Sequence, residues 1–311
     1  MADLRFDDRV AVITGGGRGL GRAHALLLAS RGAKIVVNDP GVSMTGDATE
    51  EGPADELVRE IRAAGGEAVA NTDSVATPEG GKAIIETALD TWGRVDIVIH
   101  SAGNVRRAAL HEMSYDDFES VLDVHLRGAF HVARPALPYM HEKRFGRLIF
   151  TSSINGLYGK STSGNYATAK AGMIGLSHSI AIEGQDVDVR SNCIVPAAVT
   201  RMSAGIDTSQ FPPMDPGMVA PLVAWLCHED CQVTGEMLVS AAGRTARAWI
   251  AESPGIYRPE WTIEQMAADM DAIRDTSTPL HFTPVPDGQL DHLLHSFGMA
   301  TGKTPAGGIR T

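Results

Sequence analysis

The sequence predicts an α/β fold: a doubly wound, Rossmann-like sheet of seven parallel strands with helices on both faces, followed by a C-terminal extension. Three observations carry this expectation. Short β-branched runs alternate with stretches of helical length from the N-terminus onward, the pattern of successive βα units. Those runs are apolar throughout, as strands buried on both faces must be. A glycine-rich turn, Gly15-Gly-Gly-Arg-Gly19-Leu-Gly21, follows the first run and leads directly into a helical pattern.

The chain has 311 residues, 43% of them hydrophobic, enough for a full core. The expected division is a dinucleotide-binding domain over 6–243 and an extension over 244–311. A net charge of −11 argues against nucleic acid or an anionic membrane as the main partner. Three cysteines make no disulfide framework and suit a reducing cytoplasm. No stretch is long and apolar enough for a membrane span, the first residues lack an apolar signal core, and the chain ends in Gly-Ile-Arg-Thr rather than a peroxisomal signal. The expected localisation is therefore cytoplasmic.

Residues 10–13 read as the first buried strand. Glycines between a strand and a helix let the backbone approach a pyrophosphate at the helix N-terminus, where free N–H groups and the dipole favour anions. Gly15, Arg18, Gly19, Leu20 and Gly21 are the candidate contacts. The second strand, 34–38, ends at Asp39. A carboxylate there can bond the adenosine ribose hydroxyls and would repel a 2′-phosphate, which argues for NAD. Arg18 pulls the other way, but Asp39 is expected nearer the ribose. Asp39 also suits the turn before Pro40-Gly41. Residues 41–53 make a loop longer than a βαβ unit needs, either a rim of the cofactor site or a surface turn. A helix over 54–64 and a strand over 67–71 come next. Asp73 and Ser74 then lie at the strand's carboxyl end, where open α/β sheets bind ligands. Asp73 can accept from an adenine amine or cap the next helix. After a helix over 78–91 and a strand over 95–99 comes His100-Ser101-Ala102-Gly103, in which Ala102 and Gly103 offer a wall without large side chains for a flat ring. One long helix is expected over 115–141, bent or ended by Pro135 and Pro138.

The chemistry-bearing residues fall in the second half. A strand over 147–152 delivers Ser153 to the same sheet edge. Tyr166 and Lys170 are four apart, one turn apart on one helix face. A free phenol has a pKa near ~10, and a neighbouring ammonium pulls it toward the working range of an acid or base. The Ser153 hydroxyl can bond the same substrate oxygen. A strand over 187–194 precedes Pro196, Val199 and Thr200, of which Thr200 can bind a nicotinamide carboxamide. Residues 200–218 read as a substrate lid or a proline-stiffened surface loop. Cys227, His228 and Cys231 read as helix-end residues rather than a metal site; no metal is expected. A strand over 237–240 completes the sheet. Beyond it Trp249, Tyr257, Trp261, Phe282 and Phe297 give the extension apolar area to pack, 262–270 reads as a capped helix, and the extension is expected to cover the substrate mouth or a neighbouring subunit.

Thr14-Gly15-x-x-x-Gly19-x-Gly21, Asp39, Asp73, Ala102-Gly103, Ser153, Tyr166-x-x-x-Lys170 and Thr234-Gly235 stand in the order found in the short-chain dehydrogenase/reductase family, and the chain resembles that family over 6–243. The resemblance implies a nicotinamide cofactor, hydride transfer, Tyr166 as acid/base, Lys170 holding the nicotinamide ribose, Ser153 polarising the substrate oxygen, and a homotetramer. Further stretches, among them Val37-Asn-Asp39, Val124-His-Leu-Arg-Gly-Ala-Phe130 and Ala220-Pro-Leu-Val-x-Trp-Leu-Cys-His-Glu229, are similar to the (3R)-hydroxyacyl-CoA dehydrogenase units of type 2 multifunctional enzymes. The chain departs from the family pattern in several places. His100-Ser101 stands where Asn-Asn is usual, and Pro196-Ala where Pro-Gly is usual, with Thr200 one residue early. His125 replaces the asparagine of a proton relay, as a relay group itself or as a buried structural histidine. The expected reaction is NAD-dependent oxidation of a secondary alcohol, with a 3-hydroxyacyl-CoA as the small-molecule substrate and Arg106, Arg107 and Arg201 available to its phosphates. A free hydroxysteroid or terpene alcohol is the alternative substrate, and a catalytically silent NAD-binding regulator the alternative of another class.

Overall fold

The structure is a computed structural model that describes residues 3–41, 52–200 and 210–302. Strand β1 (Val10–Thr14) is buried along its whole length. It pairs in parallel with β2 (Lys34–Asn38) on one side and β4 (Ile97–His100) on the other. With β3 (Ala68–Asn71), β5 (Gly146–Thr151), β6 (Val189–Ala197), β7 (Met237–Ala241) and β8 (Arg244–Ala248) the sheet has the order β3-β2-β1-β4-β5-β6-β7-β8. The order reverses between β1 and β4, the switch point where an open sheet leaves a crevice at its carboxyl edge.

The sheet holds one strand more than the sequence suggested. Ala242 and Gly243 both take positive φ, 49° and 82°. A two-residue turn of this kind folds β8 back beside β7, so β8 runs antiparallel to it, while β1 to β7 are parallel to one another. β6 also differs from its expected span. Gln185–Val187 form a 3₁₀ turn and Asp188 is left-handed, so the strand starts at Val189; pairing of Pro196 with Ser240 and Ala197 with Ala241 carries it on to Ala197.

Helices α1 (Gly19–Ser30), α2 (Pro53–Ala63), α3 (Pro78–Trp92), α7 (Gly164–Glu183) and α8 (Ala220–Cys227) supply crossovers and cover the faces. The expected single helix over 115–141 is built differently. α4 (Tyr115–Leu122) passes into five π-helical residues, Asp123–Arg127, and then into α5 (Gly128–Lys143), which runs through Pro135 and Pro138. Each proline removes one N–H, but Ala129, Val132, Ala133, Ala136 and Met140 are buried along α5, and that packing keeps the helix going. The irregularity sits one turn before α5, at His125. A short helix not anticipated from sequence, α6 (Ile154–Tyr158), follows β5.

Ala248–Thr311 forms a second compact unit after Met1–Arg247. Within it Glu252 and Leu280 exchange both backbone hydrogen bonds, and α9 (Ile263–Ile273) starts on a capping box of Thr262 and Gln265. α10 (Gly288–Thr301) is capped by Asp287. Phe282 packs edge-on to His292. Among the described residues no helix is long and apolar enough to cross a membrane. Residues 42–51 of the long loop, and 201–209 of the expected lid with Arg201, lie outside the described residues.

Candidate active site

Six strand ends converge at the carboxyl edge. After β1, Gly15 takes φ 61°, and a Cβ on it would lie 2.8 Å from the backbone N of Ala102. A Cβ on Gly21 would lie 2.2 Å from the Gly15 carbonyl. Only glycines allow the loop to fold this tightly against both the Ser101–Ala102 turn and the start of α1. Arg18 is the N-cap residue of α1 and contributes no side-chain cap, and Leu20 packs against the core. Thr200 lies over the loop, its Cγ2 3.3 Å from where a Gly19 Cβ would be.

Asp39 is buried at the end of β2. Its carboxylate accepts from Gly17 N–H at 3.2 Å and from Gly41 N–H at 3.0 Å, so it ties the glycine loop to the second strand. Asp73 instead accepts from Asn71 Nδ2 at 2.7 Å, and Ser74 accepts from Ala76 N–H; both are exposed at the end of β3. Ser101 Oγ lies 2.9 Å from Thr151 Oγ1, which joins the ends of β4 and β5. Pro196 belongs to β6 itself, and Val199, partly exposed, donates its N–H to Met214 O.

Ser153, Tyr166, Lys170 and His125 come together. Ser153 is the N-cap of α6 and its Oγ accepts from Asn155 N–H at 3.1 Å. That leaves the hydroxyl proton available to the Tyr166 phenol, whose rise in pKa Ser153 opposes. His125 is fully buried, with its ring edge-on to the Tyr166 ring at 5.1 Å between centroids. Its Nε2 lies 3.1 Å from Asn104 N and 2.9 Å from Asn104 O, while Nδ1 has no partner. A Cβ on Gly103 would fall 2.4 Å from the His125 ring, so the glycine makes room for the imidazole. Burial, and then the Lys170 charge, push His125 well below its ordinary pKa, and the ring is neutral.

The electrostatics depart from the sequence expectation. Burial raises the Tyr166 phenol, and the Ser153 hydrogen bond is what opposes that rise. Lys170 does not bring the phenol down in this geometry. Its Nζ donates to the Thr151 carbonyl at 2.5 Å and lies 5.3 Å from the centroid of the Tyr166 ring. Burial lowers Lys170 to about 7, so the ammonium that was expected to tune its neighbour is itself half-discharged near neutrality.

Sequence reasoning missed two residues that set this arrangement. Asn165 is fully buried. It donates to the carbonyls of Arg106 and Asp117 and accepts from Tyr166 N–H, fixing the first turn of α7. Asn104 grips His125 through its backbone and the Ser120 carbonyl through its side chain. A polar residue directly before the tyrosine was the one available signal. Arg106 is engaged with Asp117 at 3.2 Å. Cys227 and Cys231 are buried free thiols, and among the described residues no group of three or more His, Cys, Asp or Glu is placed to hold a metal.

Known proteins share this arrangement of elements. A family profile described as short chain dehydrogenase matches residues 9–210. Peroxisomal multifunctional enzyme type 2 of Drosophila melanogaster is 45% identical over 284 residues, which is 89% of this chain and 47% of that protein. The solved full-length structure of that enzyme matches with a TM-score of 0.79 at 37% identity, over 96% of this chain and 51% of that one. Peroxisomal hydratase-dehydrogenase-epimerase of Saccharomyces cerevisiae is 43% identical over 83% of this chain and 29% of its own length. A Mycobacterium tuberculosis protein named as the short-chain type dehydrogenase/reductase Rv0148 is 41% identical over 87% of this chain and 95% of its own. The chain thus spans about half the length of the Drosophila relative or less of the yeast one, and nearly the whole of the mycobacterial one.

Proposed function

The chain belongs to the short chain dehydrogenase family and is an oxidoreductase, and from that premise we propose that it oxidises a secondary alcohol, a 3-hydroxyacyl-CoA, with NAD as hydride acceptor. The single observation that carries this reading is the grouping of Ser153 and Tyr166 with buried Lys170, whose Nζ lies 5.3 Å from the centroid of the Tyr166 ring. A phenol so placed is a proton acceptor for an alcohol and a donor for a ketone. Similarity to proteins named peroxisomal multifunctional enzyme type 2 and peroxisomal hydratase-dehydrogenase-epimerase supports the acyl-CoA substrate over a free hydroxysteroid or terpene alcohol. A silent NAD-binding regulator would need none of the three polar side chains brought together here, of which Lys170 is buried.

The residues fit a dinucleotide. The glycine loop admits no side chain at Gly15 or Gly21, the N-terminus of α1 presents backbone N–H groups to a pyrophosphate, and Asp39 faces the loop with a carboxylate suited to ribose hydroxyls. Gly15, Arg18, Gly19, Leu20 and Gly21 would hold the pyrophosphate, Asp39 the adenosine ribose, Asp73 and Ser74 the adenine side, and Ser101, Ala102, Gly103, Pro196, Val199 and Thr200 the nicotinamide end. A nicotinamide held there would supply the acceptor for the hydride that leaves the carbinol carbon. Ser153 holds the substrate oxygen, Tyr166 takes its proton, and Lys170 holds the cofactor ribose. His125 holds or passes a proton beside the phenol.

The test is NADH formation across acyl-CoAs, steroids and small alcohols with wild type and Tyr166→Phe. Wild-type turnover of a 3-hydroxyacyl-CoA that Tyr166→Phe abolishes supports the reading. Equal turnover by both proteins sinks the site assignment, and turnover of free alcohols alone moves the substrate to the alternative. A homotetramer and a cytoplasmic location belong to the same proposal; light scattering and cell fractionation test them, with recovery in peroxisomes replacing the second.

A further inference from the structure

His100 is fully buried at the last position of β4, and the proposed chemistry does not use it. Its Nε2 lies 3.0 Å from the carbonyl of His125, in the middle of the π-helical turn. Its Nδ1 lies 2.9 Å from Thr14 Oγ1, the residue just before the glycine loop. Thr14 Oγ1 in turn lies 3.3 Å from the Ala102 N–H that donates to it.

These contacts fix every proton. A carbonyl only accepts, so Nε2 carries the hydrogen and Nδ1 is the bare acceptor. The Thr14 hydroxyl therefore donates to Nδ1, which leaves its oxygen to accept from Ala102. One directed chain runs from Ala102 N–H through Thr14 and His100 to the His125 carbonyl. Burial holds His100 at about 3, with the Lys170 charge adding to the effect, so this polarity does not change across any working pH. The far end of the chain carries the ring that lies edge-on to Tyr166.

We infer that His100 is a positioning residue: it suspends the π-helical turn from the end of β1, and so keeps the His125 ring against Gly103 and Tyr166. The inference rests on the proposed dehydrogenase site for its consequence in turnover, but its structural half does not. A regular α-helical turn would place the His125 carbonyl and ring elsewhere; the strut reaches across to the turn and fixes it to the strand that starts the cofactor loop.

Two substitutions cut the strut at different points. In His100→Asn the amide occupies the δ position, where it meets Thr14, and stops short of the His125 carbonyl. In His100→Gln the amide nitrogen reaches the ε position and restores that donor. The measurements are hydrogen exchange of the backbone amides in 123–128, thermal melting, and steady-state kinetics. His100→Asn should speed exchange in 123–128 by about tenfold, the loss of one buried hydrogen bond. It should lower kcat by about tenfold or more with KM within about threefold, because the residue acts on the acid/base and not on substrate binding. His100→Gln should recover most of both. Unchanged exchange over 123–128 in His100→Asn overturns the inference, as does equal loss in both variants through uniform melting of the whole unit. Should His100→Asn not fold, the inference stands or falls on His100→Gln, which must keep the protection of 123–128. If exchange responds as expected but the wild type oxidises no alcohol, the dehydrogenase reading fails and the strut remains. Normal turnover with unchanged exchange removes the strut alone.

Discussion

The two edges of the sheet handle buried charge in opposite ways. At the amino edge Arg147 is fully buried, yet its guanidinium donates to the carbonyls of Gly146, Asp188, His228 and Glu229 and to the Asp188 carboxylate. Asp96, also buried, accepts from Val10 N–H and from Arg94, with Arg9 at 3.6 Å. Phe145 packs beneath both Arg9 and Arg147. Every charge there meets a partner of opposite sign or a ring of carbonyls. At the carboxyl edge Lys170 has one carbonyl and no carboxylate, the neighbouring histidines are neutral, and His125 Nδ1 and Asn104 Oδ1 have no partner. Buried polar groups are normally satisfied, and in natural proteins the exceptions collect where chemistry is done. The amino edge has its polar groups met, and the carboxyl edge keeps partnerless polar atoms that the proposed substrate and cofactor would use.

The largest expected effect separates the two roles at once. Tyr166→Phe removes one hydroxyl at the carboxyl edge and should cut kcat by about 10²- to 10⁴-fold. It should leave the melting temperature and NAD affinity close to wild type, as calorimetry and fluorescence titration would show. A kcat near wild type would mean that the phenol is not the proton carrier.

Arg147→Met is the counterpart at the amino edge. It removes the donor that four carbonyls share and one partner of the Asp188 carboxylate, which keeps Arg190, and should cost about 3–5 kcal/mol in urea unfolding, at about 1–3 kcal/mol for each buried carbonyl left unmet. KM and kcat of the remaining folded enzyme should stay unchanged. A loss under about 1 kcal/mol would show that the carbonyls find water and that the edge is not the anchor described.

Lys170→Met should have the opposite sign. Burial lowers the folded pKa from 10.5 to about 7, so between those values the unfolded chain holds a proton that the folded protein gives up. Stability at this site therefore rises with pH across that window, and the penalty is full at pH 7 and below. Its size is up to about 5 kcal/mol, less about 1–3 kcal/mol for the bond to Thr151 O that methionine cannot make. Lys170→Met should thus gain about 2–4 kcal/mol at pH 7, with the gain shrinking toward pH 10, while turnover is lost. Urea unfolding of both proteins at several pH values decides it; a destabilised variant at pH 7 would mean that Lys170 finds compensation not visible in these contacts.

That last contrast also marks what sequence can convey. Gly15, Gly21, Ser153, Tyr166 and Lys170 were legible because strand-turn-helix order and a four-residue spacing are local properties. Which way the Lys170 ammonium turns is not local. The spacing puts both side chains on one face of α7, but β5 supplies the Thr151 carbonyl that captures Nζ, and burial by the whole sheet then outweighs the pairwise charge effect. The π-helical turn at His125 was unreadable for the same reason. Its cause lies in β4 and β1, through His100 and Thr14, and in Gly103, whose missing side chain leaves room for the ring. β8 was missed because a left-handed alanine at 242 carries no turn signal, whereas the glycine after it does.

The smallest effect tests where the carboxyl edge begins to discriminate rather than react. Asp39 accepts from Gly17 N–H with one oxygen and from Gly41 N–H with the other, so its replacement changes the loop's hydrogen bonding as well as its charge. Asp39→Asn removes the negative charge and keeps one of the two acceptors, because the amide NH2 only donates. A 2′-phosphate would no longer meet a carboxylate, and the ratio of kcat/KM for NADP to that for NAD should rise by about tenfold, equivalent to about 1.4 kcal/mol. The melting temperature should fall by a few degrees, because one of the two hydrogen bonds from the loop is lost. An unchanged ratio would transfer cofactor choice to Arg18 or to residues 42–51, and Asp39 would then be a turn residue that braces the glycine loop and nothing more.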